Sequence, residues 1–126
     1  MPTTAVLRET VATYAATVTA RNADDYAALF TPDAVQVDPY PTAPNHGRDE
    51  IRAFMQRSID GSETMLFEVD EVHPVADRAA ISFHITLTLA GPATMHIRGI
   101  EVFTVTDDGL ISAVDAYWGE EDVSFE

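Results

Sequence analysis

The 126-residue chain has no cysteine and no lysine. The first absence removes a disulfide framework, a thiolate metal site and a cysteine nucleophile together. The second leaves seven arginines as the only basic residues against 21 acids, for a formal net charge of -14. Nucleic acid and anionic membrane surfaces are bound through basic patches, so neither is expected as a partner. No apolar run approaches the ~18 residues of a membrane span. The opening Met1-Pro2-Thr3-Thr4 carries neither the basic nor the apolar segment of a secretory signal, and a cytoplasmic protein is expected. P-loop, dinucleotide-binding and nucleophile-elbow motifs are missing. His46, His73, His84 and His96 show no metal-ligand spacing with one another or with a carboxylate. No metal and no cofactor is therefore expected.

What is present fits one domain, residues 1–126, large enough to bury a core. Leu7, Val11, Tyr14 and Val18 fall on one face of a first helix. Asn22 caps a short second helix that Pro32 ends near Phe30-Thr31. A third helix runs from about Arg48 to Ile59, with Ile51, Phe54, Met55 and Ile59 inward and Gly61 at its C-cap. A short strand, Ala34–Asp38, precedes it. After Gly61 the pattern turns to β: Thr64–His73, Ala79–Ala90, Ala93–Thr106 and Leu110–Trp118, broken at Pro74 with Asp77, at Gly91-Pro92 and at Asp107-Asp108-Gly109. Ile81, Phe83, Ile85, Leu87 and Leu89 alternate with polar neighbours, as in a sheet with one face on a core. The order predicts an α+β domain with three N-terminal helices on one side of a curved, mostly antiparallel sheet and a ligand cavity between the layers.

Four residues stand out against this pattern. Glu101 shares a strand face with Met95, Ile97, Gly99, Phe103 and Val105, where an ionised carboxylate is costly and a protonated one can donate a hydrogen bond. Asp38 ends its strand before Pro39, on the face of Ala34 and Gln36. Tyr14 lies on the apolar face of the first helix, where its hydroxyl needs a partner. Trp118 is grouped by parity with Leu110, Ser112, Val114 and Ala116, the last two leaving room for a flat apolar ligand. Each also has a plain structural reading: a solvated strand end, a turn aspartate, a core tyrosine, core packing.

Together these residues make the chain resemble the ketosteroid isomerase group of the NTF2-like (SnoaL-like) superfamily, from about Val11 to Asp122. The matching stretches are Tyr14; Ala28-Leu29-Phe30 with Pro32-Asp33-Ala34; Asp38-Pro39; Gly47-Arg48 before Ile51-Arg52-Ala53-Phe54; Asp108-Gly109-Leu110-Ile111; and Ala116-Tyr117-Trp118-Gly119-Glu120. The resemblance implies a cone-shaped fold, a homodimer and a hydrophobic steroid- or polyketide-like substrate. It implies movement of a double bond into conjugation with a ketone through a dienolate. Asp38 matches the general base, Tyr14 and Glu101 the groups that hydrogen-bond the dienolate oxygen, the acid staying protonated as it does in those isomerases. Trp118 matches an aromatic position flanking the substrate, and Phe54, Met55, Phe83, Val114 and Ala116 are expected to line the site with it. Phe30 and Met55 stand where the family often has tyrosines supporting the oxyanion tyrosine, so Tyr14 is expected to lack a hydrogen-bonding group behind it. Glu101 is one methylene longer than the family aspartate, and Gly99 and Arg98 depart from the family strand. Two other activities of the superfamily need further groups: a polyketide cyclase a histidine near the base, an epoxide hydrolase an Asp-Arg-Asp set. Strand parity turns His84, His96 and Arg98 away from the cavity. A non-catalytic binding module is the remaining reading.

Overall fold

Thr3 accepts a hydrogen bond from the Val6 amide and starts helix α1, Thr4–Thr19, whose buried stripe includes Leu7, Val11, Tyr14 and Val18. Asn22 caps α2, Ala23–Ala28, through the Asp25 amide. The computed structural model describes residues 1–91 and 93–126. The remaining elements are β1 (Phe30–Val37), β2 (Asn45–His46), α3 (Gly47–Asp60), β3 (Thr64–Val75), β4 (Arg78–Thr88), β5 (Thr94–Val105), β6 (Ile111–Tyr117), a 3-10 turn (Glu120–Asp122) and β7 (Val123–Phe125).

The strands form one sheet in the order β2-β1-β6-β5-β4-β3, with β7 also pairing β5. It is a curved, unclosed sheet, antiparallel except where β1 runs parallel to β6. Among the described residues this is the expected α+β, NTF2-like arrangement of three helices and a sheet. The core between the layers includes Leu7, Tyr26, Phe30, Ile51, Phe103 and Ile111. No helix among the described residues is long and apolar enough to cross a membrane.

The departures from the sequence reading are local. Helix α2 stops at Ala28, and Pro32 lies inside β1 rather than at a helix end. The β1–β6 register shifts between Phe30 and Val35, around that proline. Strands β2 and β7 were not expected; both are very short. The β5–β6 register shifts between Thr104/Ala113 and Val105/Ile111, so Ser112 is an extra residue. That bulge breaks the parity that grouped Leu110 and Ser112 with Val114, and it is Ile111 that is buried with Val114 and Ala116. Of the expected Gly91-Pro92 break, Pro92 lies outside the described residues.

Candidate active site

Helix α1 and strand β5 meet at Tyr14 and Glu101. The Tyr14 ring is held edge-on by Phe103 at 4.8 Å and Phe67 at 5.6 Å between centroids. Its hydroxyl donates to Glu101 Oε2 at 3.1 Å. Glu101 sits between Ile81 and Ala116 in the sheet and is 1% exposed. Its additional methylene still lets the carboxyl reach Tyr14.

Behind Tyr14 the expectation of an empty position is wrong. Phe30 is apolar core and Met55 lines the cavity, but Tyr26 on α2 places its hydroxyl 3.2 Å from that of Tyr14. Gln36 Nε2 donates to Tyr26 at 2.7 Å, and Asn45 Nδ2 donates to Gln36 Oε1 at 2.9 Å. Because Tyr14 gives its proton to Glu101, Tyr26 is the donor in the tyrosine pair. The chain Asn45–Gln36–Tyr26–Tyr14–Glu101 thus runs in one direction toward the cavity. Tyr26 and Gln36 were missed as site residues. Gln36 carried a signal, as a polar side chain on the inward parity of Ala34 and Asp38.

Asp38 follows β1 on that inward parity, and the loop after it is tied back by the Tyr40 amide to the Ala116 carbonyl at 2.8 Å. The Trp118 indole N–H donates to Asp38 Oδ1 at 3.0 Å. Burial pushes the Asp38 carboxyl up to about 6, and the Trp118 hydrogen bond works against that rise. Burial raises Glu101 well above the usual carboxylate range, with the Asp38 charge adding to it and the Tyr14 hydrogen bond opposing. Burial is the main cause that raises Tyr14 well above the usual phenol range. The surroundings thus separate the two carboxyls: Asp38 rises only to about 6, while Glu101 and Tyr14 are both pushed toward their neutral forms.

These groups open on one cavity of about 450 Å³, within the range of small-molecule sites. Of the expected lining residues, Phe54, Met55, Phe83 and Trp118 face it. Val114 and Ala116 do not; both are core, 1% and 0% exposed. His84 pairs with Glu68 and Asp70, and His96 with Glu126, outside the cavity. Arg98 is exposed, and among the described residues Trp118 is the side chain bonded to Asp38. No group of three or more metal-ligating side chains occurs among the described residues.

Comparison with known proteins identifies the family and the fold. The SnoaL-like domain model matches residues 11–114. A steroid Delta-isomerase of Nocardioides simplex is 33% identical over 94% of both chains. The epoxide hydrolase LasB of Streptomyces lasalocidi is 28% identical over 99% of this chain, which spans 45% of that protein's length. In fold, RV0760c of Mycobacterium tuberculosis, solved in complex with estradiol-17beta-hemisuccinate, superposes with a TM-score of 0.86 at 21% identity, covering 95% of this chain and 98% of that one. The fold is NTF2-like, and the chain belongs to the SnoaL-like domain family.

Proposed function

We propose that this protein isomerises a hydrophobic β,γ-unsaturated ketone of steroid size by intramolecular proton transfer. Asp38, ionised at neutral pH, takes a proton from the carbon between the carbonyl and the double bond. The electrons move onto the carbonyl oxygen, giving a dienolate. Glu101 donates to that oxygen from the oxygen not engaged by Tyr14, and Tyr14 turns its hydroxyl from Glu101 to the same point. Asp38 then returns the proton two carbons away, and the ketone re-forms in conjugation. The observation that carries this reading is the buried 3.1 Å Tyr14–Glu101 pair opening on the cavity that Asp38 also lines. Two carboxyls whose surroundings separate their pKa values divide the work of base and acid. The identity with the Nocardioides isomerase supports the reaction, and the steroid ester held by the mycobacterial neighbour supports the ligand size.

The test is turnover of a β,γ-unsaturated 3-ketosteroid, followed by the absorbance of the conjugated enone. Turnover is expected, with Asp38→Asn lower by about 10²–10⁴-fold. No turnover, or equal turnover in that variant, rules the reaction out. A second reading is favoured by the LasB identity: the same acid and base opening an epoxide. Conversion of a hydroxyl-bearing epoxide to a cyclic ether or diol, without ketone isomerisation, would select it.

A further inference from the structure

The cavity has two chemically different ends. Tyr14, Tyr26 and Glu101 at one end are buried. The other end is formed by the last turn of α3, the turn into β3 and the far part of β4, where Arg57, Ser58, Ser62, Leu87 and Leu89 line it. Glu101 pairs with Ile81, and Leu87 lies further along the same strand, roughly 20 Å away at ~3.3 Å per residue and less if the strand curves. The α3–β3 turn is fixed at the Leu87 end, where the Glu63 amide donates to the Thr88 carbonyl at 2.6 Å.

Cations are scarce in this chain, seven against 21 acids, yet two of the seven converge here. Arg21 donates to Ser62 Oγ at 3.2 Å, to the Ser62 carbonyl at 3.0 Å and to the Ile59 carbonyl at 3.1 Å. Arg57 lines the cavity itself. Among the described residues the arginine found in an ion pair is Arg52, with Asp24; Arg21 and Arg57, like Arg8, Arg48, Arg78 and Arg98, have no carboxylate partner. Asp60, one helical turn beyond Arg57, accepts from Gln56 instead at 2.9 Å. Among the described residues Arg57 is the arginine that lines this apolar cavity.

We infer that the ligand is a two-ended molecule, an apolar body with a carboxylate on the end farthest from Glu101, received by Arg57. Arg21 adds positive potential beside it and holds Ser62 in place. The anionic end follows from the cavity rim alone; the ketone at the buried end rests on the proposed isomerase reading. Arg57 is then a specificity-determining residue, selecting among ligands of similar shape by their distal charge.

The test uses Trp118, the chain's one tryptophan, as a fluorescent reporter in the cavity. The probes are a phenolic steroid with a carboxylate on its distal ring and the methyl ester of the same compound. At low salt the native protein is expected to bind the carboxylate about fivefold more tightly than the ester. The ratio should fall to about one in Arg57→Gln, persist in Arg57→Lys, and shrink as salt is added. Equal or weaker binding of the carboxylate by the native protein, an unchanged ratio in Arg57→Gln, or no binding of either probe overturns the inference. The assay reads binding and not turnover. A protein that prefers the carboxylate but isomerises no ketone would keep this inference and lose the proposed reaction.

Discussion

The indole N–H of Trp118 donates to Asp38 Oδ1 at 3.0 Å, and it is the contact that opposes the burial of that carboxylate. Trp118→Phe keeps the aromatic wall and removes the donor. Asp38 should then titrate above its value of about 6. Catalysis by ionised Asp38 is lost as pH falls through that pKa. The acid limb of a kcat/KM profile is therefore expected near pH 6 in the native protein and at higher pH in Trp118→Phe. An unshifted limb would mean that the indole does not tune the carboxylate.

Tyr26 supplies the hydrogen bond behind Tyr14. Tyr26→Phe leaves Gln36 Nε2 buried without its acceptor, so a loss of about 1–3 kcal/mol of stability is expected from denaturant unfolding. It also frees Tyr14 to find another partner, so turnover should fall. Because Tyr26 and Gln36 act in one chain, Gln36→Leu added to Tyr26→Phe should cost less than the sum of the two changes. Additive losses would show that the chain is not a unit.

Glu101 makes stability depend on pH in a defined sense. Unfolded, it ionises near its ordinary 4.5; folded, burial holds it protonated to well above that. Its contribution to stability is greatest below about pH 4.5 and is lost as pH rises, because only the unfolded chain gains from ionising it. Glu101→Gln keeps an acceptor for Tyr14 and removes the titration. The variant should lose less thermal stability than the native protein between weakly acidic and neutral pH. Some dependence should remain, since Asp38 is raised in the same sense from 3.8 to about 6.

Gly99 pairs with Phe83 across the β4–β5 ladder. A Cβ there would lie 2.6 Å from the Tyr117 carbonyl oxygen and 3.0 Å from the Trp118 Cβ. The glycine lets the end of β6 pass closely enough for Trp118 to reach Asp38. Gly99→Ala is expected to be destabilised and to lower kcat/KM by displacing Trp118, with weaker quenching of Trp118 fluorescence by bound ligand as its signature.

Much of this site could be read from one-dimensional spacing. Period two along β5 put Glu101 among apolar residues, the same period put Asp38 with Ala34 and Gln36, and the four-three-four spacing of α1 turned Tyr14 inward. Two kinds of feature were not legible. A single inserted residue, Ser112, reset the parity of β6, and a register shift has no signature in composition. The relay through Tyr26, Gln36 and Asn45 joins α2, β1 and β2 by side-chain hydrogen bonds, which no periodicity encodes. Family resemblance pointed to Phe30 and Met55 as the supporting positions, whereas this chain supplies the supporting hydroxyl from Tyr26 on α2.

The central claim is that two carboxyls in one cavity hold different protonation states at neutral pH, Asp38 ionised and Glu101 neutral. Carboxyl-region infrared difference spectroscopy on the native protein, Glu101→Gln and Asp38→Asn reads this directly. A protonated-carboxyl band is expected at neutral pH in the native protein and in Asp38→Asn, and its loss in Glu101→Gln. A native spectrum with no such band at neutral pH, or one that survives in Glu101→Gln, would contradict the account.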